Sequence, residues 1–113
     1  MLPNHSIDNL VSGLLKHAPR ADYKPKILVL FGSLRADSHS RKLAVEVVRM
    51  LEHFGAEAKL FEPLGLPIYD GESVEHEKVQ ELRTASQWSE GQVWISPEIH
   101  GNLSAVFKNQ IDW

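Results

Sequence analysis

The sequence contains no cysteine, which excludes disulfides, a Cys-X-X-Cys redox pair, thiolate metal sites and a cysteine nucleophile. Basic charge is also short: 12 Lys and Arg stand against 15 Asp and Glu, a formal net charge of -3. A nucleic-acid partner is therefore not expected. No stretch approaches the roughly 18 apolar residues of a membrane span. The first twenty residues lack a basic start, and Asp8 and Asn9 interrupt their apolar run, so they do not read as a signal peptide. A cytoplasmic protein is the expectation. His76-Glu77 is followed by Lys78, Val79 and Gln80 and not by the second histidine of HExxH, so no metal site is expected. Internal repeats and low-complexity runs are missing too.

What is present suits one globular domain. In 113 residues, 42% are hydrophobic and 24% charged, which is neither the disordered nor the fibrous range. Ile7, Leu10, Val11, Leu14 and Leu15 fall at helical spacing behind Ser6, a candidate cap, and predict a short amphipathic helix. HAPRADYKPK follows as a linker, so residues 1–25 read as an extension and 26–113 as the domain proper. Ile27 to Phe31 is an apolar run without alternation, ended by Gly32, which predicts a strand buried on both faces. Leu43, Ala44, Val47, Val48, Leu51 and Phe54 predict a helix stopped at Gly55, with a second strand over Ala58–Glu62. Pro63, Gly65, Pro67 and Gly71 mark an irregular connection. A helix over Lys78–Trp88 then turns Val79, Leu82 and Ala85 inward, and a third strand runs over Gln92–Ser96. Leu103, Val106, Phe107 and Ile111 lie on one side of a last helix, which meets Trp113 without a capping glycine; that ending reads as a cut. The order βαβαβα with right-handed crossovers predicts an α/β fold: an open parallel sheet with helices on both faces.

Two loops then carry the chemistry. In such a sheet ligands sit beyond the carboxyl ends of the strands, where strand order reverses. The first loop, GSLRADSHSR, opens a helix, whose free amides and dipole favour an anion. Ser33, Ser38 and Ser40 add hydroxyls and Arg35 a guanidinium fork, a set suited to a phosphate monoester. The plainer reading is that Ser38 or Ser40 caps the helix and Arg35 is a solvated charge. GxxxxGK[ST] and GxGxxG are both absent, which disfavours a P-loop or a dinucleotide fingerprint. The second loop, SPEIHGN, offers Pro97, Glu98, Ile99, His100 and Gly101, with the glycine permitting a flat ring to approach the backbone. Its plainer reading makes Glu98 a helix-terminal charge, Asn102 a cap and His100 an exposed imidazole. His39 is near Ser33 only in sequence, so a serine hydrolase is not indicated. Trp88, Trp94 and Trp113 read as packing residues more than as stacking partners.

GSLRADSHSR followed at this distance by WSEGQVWISPEIHGNLSAVFKNQIDW resembles the NADPH-dependent FMN reductases, within them the arsenical-resistance branch called ArsH, from about Lys26 to Trp113. That resemblance implies a flavodoxin-like fold truncated after its third βα unit, FMN and NADPH as cofactors, and a homotetramer. It implies that Ser33, Arg35, Ser38 and Ser40 hold the FMN phosphate and that Pro97, Glu98, Ile99, His100 and Gly101 lie against the isoalloxazine. It implies hydride transfer from NADPH to FMN and onward to a small-molecule acceptor such as a quinone, oxygen or an organoarsenical, with no acid–base catalytic residue supplied by the protein. Ile99 stands where such proteins commonly have arginine, removing a charge near the flavin or the nicotinamide nucleotide. Family members continue past IDW with two further strands and a third flavin loop. Strand three would then be an edge, with Trp94, Phe107 and Ile111 facing water or another chain. The alternative is a catalytically inactive fragment that at most associates with other subunits. A receiver domain of the same topology would need an aspartate ending strand three, where Ser96-Pro97 stands.

Overall fold

The computed structural model of the protein describes residues 23–113; the helix expected over residues 7–15, its Ser6 cap and most of the linker lie outside the described residues. Strand β1 (Lys26–Phe31) is the centre of a three-stranded parallel sheet, flanked by β2 (Glu57–Phe61) and β3 (Gly91–Ile95) in the order β2-β1-β3. In register, Leu30 stands beside Phe61 on one side and Trp94 on the other.

The unalternating apolar run of β1 is explained by what covers it. Side chains alternate between sheet faces, so one strand feeds two cores. Leu28 and Leu30 join Phe61, Leu82 and Phe107 on one face, under helices α2 (Glu77–Trp88) and α3 (Ala105–Asp112). Val29 and Phe31 meet Ala44 on the other, under helix α1 (His39–His53), with Val47, Val48 and Leu51 packed around them. Each of these β1 side chains, fully removed from water, contributes about 1.5–3 kcal/mol of transfer free energy. Helices on both faces of a parallel sheet make this the flavodoxin-like α/β fold the sequence implies.

Helix boundaries follow local chemistry. Ser38, in extended geometry, caps α1 by accepting the Arg41 amide at 3.0 Å. At the other end Gly55 takes φ +93°, its amide reaching the Glu52 carbonyl while the Ala56 amide reaches Leu51, a Schellman closure that needs a residue tolerant of the left-handed region. Two residues assigned to the inward stripe of α1 point elsewhere: Leu43 is 54% exposed, and Phe54, already past the last turn, is 79% exposed. The buried stripe is narrower and centres on Ala44.

The last third departs more from expectation. Residues 98–103 form a short antiparallel hairpin, β4 (Glu98–Ile99) with β5 (Asn102–Leu103), turning at His100 and Gly101, both at positive φ. Leu103 is therefore in a strand, and Ser104, not Asn102, caps α3 by accepting the Phe107 amide at 3.1 Å. Phe107 packs on the sheet with Leu28, Leu30, Phe61 and Leu82 and is 0% exposed, so the expectation that it faces water is corrected: these residues cover it without any further element. Trp94 at 57% and Ile111 at 40% do remain exposed.

The connection after β2 is held by its own turn chemistry. Asp70 Oδ1 accepts the amides of Glu72 and Ser73, and its Oδ2 accepts the Ser73 hydroxyl. These bonds, the Ser73 hydroxyl first, lower the Asp70 pKa to about 2. A depressed carboxyl stabilises the fold above its unfolded value, near 4, and that contribution disappears as pH falls toward 2. Protection of the Glu72 and Ser73 amides from hydrogen exchange, taken relative to the intrinsic rate at each pH, is expected to fall across that window in the native chain. In Asp70→Asn the extra acid sensitivity is expected to be absent.

Candidate cofactor site

The carboxyl end of β1 opens directly into the first loop, Gly32 to Asp37, and the carboxyl end of β3 into the hairpin. Between them lies a cavity of about 590 Å³, lined from the first segment by Gly32, Ser33, Leu34, Arg35, Ser38, His39 and Ser40 and from the second by Pro97, Ile99, Ser104, Ala105 and Val106. That volume is in the range of small-molecule sites, roughly 300–1,000 Å³. All four residues singled out in the first loop line one wall. Of the second loop's five, Pro97 and Ile99 line the other, whereas Glu98, His100 and Gly101 sit on the exposed hairpin beside it.

The first wall presents unengaged donors. The amides of His39 and Ser40 open α1 and have no carbonyl one turn earlier within the helix. No acidic side chain occupies the first turn of α1, so no carboxylate of its own neutralises the positive end of the dipole. Ser33 Oγ accepts the Arg35 amide at 3.3 Å, which keeps its hydroxyl hydrogen available. Ser38 is buried and does cap the helix, so the plainer reading of that residue holds at the same time; its hydroxyl hydrogen is not used by the cap. Arg35 is exposed, and among the described residues its guanidinium has no hydrogen-bond or ion-pair partner.

Arg41, the last residue of the same motif, behaves differently. It reaches Glu62 at the end of β2, Nη2 to Oε1 at 2.7 Å, and lies outside the cavity lining. Two identical side chains in one motif thus serve different ends: one is left free at the mouth, the other fastens α1 to β2.

A neighbouring groove of about 460 Å³ shares Leu34, Ala105 and Val106 with the cavity and continues over Leu66, Ile68 and Tyr69. Its polar groups are already engaged. Asn109 accepts the Tyr69 amide at 2.8 Å and donates to the Pro67 carbonyl at 2.9 Å, and Lys108 pairs with Asp112. It touches the start of α3 through Ala105 and Val106 but has none of the serine hydroxyls or the Arg35 guanidinium that line the first cavity.

Sequence reasoning missed two residues at the base of the site, Ser96 and Ser104. A cap signal was present at Ser104, but Asn102 competes for the same duty two positions earlier. Among the described residues, no helix is long and apolar enough to cross a membrane.

The same segments are matched by known proteins. The NADPH-dependent FMN reductase family model covers residues 25–113. A protein of Rhizobium meliloti (strain 1021) named NADPH-dependent FMN reductase ArsH is 59% identical over 91 residues, 80% of this chain and 38% of that protein. Its namesake in Acidithiobacillus ferrooxidans is 52% identical over 99 residues, 88% of this chain and 42% of that protein. The Shigella flexneri protein of the same name is 48% identical over 108 residues, 95% of this chain and 41% of that protein. The chain thus spans about two fifths of the length of these relatives. With the parallel βαβ scaffold and an anion-ready loop after its central strand, the chain belongs to the NADPH-dependent FMN reductase family.

Proposed function

We propose that the cavity between the two loops holds FMN, and that the chain carries the cofactor-binding front part, residues 26–113, of an NADPH-dependent FMN reductase of ArsH type. The observation that carries this reading is the single cavity shared by Ser33, Arg35, Ser38 and Ser40 with Pro97 and Ile99. The phosphate is held by the hydroxyls of Ser33, Ser38 and Ser40, the Arg35 guanidinium and the first amides of α1, all donors that suit a dianion. Pro97 and Ile99 give the ring an apolar wall and exclude water from it. Glu98, His100 and Gly101 lie alongside the ring through the backbone of the hairpin. When bound, FMN supplies the hydride chemistry, taking a hydride from NADPH and passing electrons to an acceptor such as a quinone, oxygen or an organoarsenical. The protein's part is orientation and anchoring. Action in the cytoplasm and a homo-oligomeric, tetrameric state complete the proposal, supported by the kinship with the ArsH proteins.

Arginine substitutions separate the two roles in the motif. Arg35→Ala is expected to weaken FMN binding about 10- to 150-fold, the value of a hydrogen bond to a charged group, while riboflavin binding hardly changes. Arg41→Gln is expected to stay within about fivefold of the parent, because its half-exposed pair with Glu62 is worth little and the residue is not among those lining the cavity. Quenching of flavin fluorescence measures both. Equal losses in the two variants would contradict the placement of the phosphate.

A second reading, that this chain associates with other subunits without catalysing, is favoured by one observation. In the three-stranded sheet β3 is an edge, carrying Trp94 at 57% exposure, while relatives are more than twice as long as the matched segment. No FMN binding at tens of micromolar, an affinity weaker than about −6 kcal/mol, decides for it.

A further inference from the structure

The residues facing the phosphate and those facing the ring stand on separate segments, and the gap between them is set at the base of the cavity. Gly32, the first residue of the phosphate loop, donates its amide to the Ile95 carbonyl at 2.9 Å, continuing the β1–β3 ladder one step into the loop. Its carbonyl accepts the hydroxyl of Ser104 at 2.8 Å, a contact across 72 positions of sequence. Ser104 in turn donates its amide to Ser96 Oγ at 3.0 Å, and Ser96 donates its hydroxyl to the Pro97 carbonyl at 2.9 Å. Ser104 is only 5% exposed, so these bonds are made away from water.

Capping explains half of this. As the cap of α3, Ser104 Oγ needs only to accept the Phe107 amide, which it does at 3.1 Å. The bond it donates to Gly32 is not required by the helix. That bond ties the opening of the phosphate loop to the end of the hairpin that carries Ile99.

From this geometry we infer that Ser104, backed by Ser96, is a positioning residue for the cofactor, fixing the two loops at the separation that lets one FMN engage both at once. The inference rests on the reading of the cavity as an FMN site. FMN is a two-headed ligand: its phosphate and ring reinforce each other only while both walls stand at the matching distance. If the staple is cut, each wall still takes its half of the ligand, and the advantage of joining the halves is reduced.

The test compares FMN with riboflavin, which lacks the phosphate, on the whole 113-residue chain. Dissociation constants are read by fluorescence quenching for the parent, Ser104→Ala and Ser96→Ala, each variant first shown to melt cooperatively. The parent is expected to prefer FMN. In Ser104→Ala the riboflavin-to-FMN ratio of constants is expected to fall about fivefold, the value of one buried neutral hydrogen bond, and to fall in Ser96→Ala too. A loss of folded protein would weaken both ligands in proportion and leave the ratio alone, so the ratio isolates positioning from stability. Should Ser104→Ala fail to fold, Ser96→Ala decides, since it keeps the helix cap. A parent that prefers FMN, with folded variants of unchanged ratio, overturns the inference alone. A parent with no preference overturns the FMN reading and the inference with it.

Discussion

Phe107→Ala is expected to remove most of the chain's folding stability. The side chain is fully buried among Leu28, Leu30, Phe61 and Leu82, and its ring meets Trp94 edge-on at 5.6 Å between centroids. Removing a buried phenyl group costs about 3–5 kcal/mol when the surroundings cannot close over the space. Here the surroundings are pinned: the Phe107 amide is held by Ser104, and Gln110 on the same helix donates to the Phe31 carbonyl at 2.8 Å. Natural domains hold only about 5–15 kcal/mol in all. A sheet of three strands falls at the lower end of that range, because small cores bury a smaller fraction of their surface. Urea denaturation followed by tryptophan fluorescence measures the loss. A change below about 1 kcal/mol would mean that α3 does not close this core.

Gly32→Ala is expected to damage stability and the cofactor site together. Its backbone is not in the left-handed region, so conformational freedom is not the reason for glycine here. Space is the reason. A Cβ at this position would collide with Ser104 Oγ and stand 2.8 Å from Phe107 Cβ and 3.3 Å from Ser96 Oγ. One neighbour is the helix cap and another the start of the core side chain, so neither yields cheaply. Overpacking of this kind costs about 1–3 kcal/mol, and relief requires α3 to move away from the phosphate loop. Loss of FMN affinity beyond what the folded fraction explains is therefore expected. Gly55→Ala makes the contrast: nothing lies within 4 Å, so its cost is that of a left-handed alanine alone, about 1 kcal/mol, with FMN binding of the folded protein unchanged. Equal effects of the two substitutions on the ligand would refute this account of the cavity base.

The central strand, its two neighbours and the three described helices were legible because each has a periodic or unbroken apolar signal. Ile27 to Phe31, ended by Gly32, has the pattern of a doubly covered strand, and Val79, Leu82 and Ala85 mark one helix face. The stretch after Pro97 was not legible in the same way. Its hairpin has two residues per strand, too few for alternation to show, and its turn places His100 at φ +50°, a conformation that a non-glycine residue does not announce. Reading Leu103 into the helix then shifted the expected face of α3. The expectation that Phe107 faces water has another source, the family elements following Trp113 that would cover it, whereas the sheet in hand buries it; Gln110, whose burial follows from the Phe31 carbonyl it satisfies, carries no apolar signal. The cofactor wall on the first loop was readable from Ser33, Arg35, Ser38 and Ser40 as types. The distinct fate of Arg41, and the bond between Ser104 and Gly32, depend on partners far along the chain and have no local signature.

Chemical-shift mapping of the isotope-labelled chain during an FMN titration tests the central claim most directly. The account predicts that the largest changes fall on the amides of Ser33, Arg35, Ser38, Ser40 and Ile99, saturating together with one dissociation constant. Changes centred instead on Leu66, Ile68 and Tyr69 in the adjoining groove, or none at saturating FMN, would contradict it.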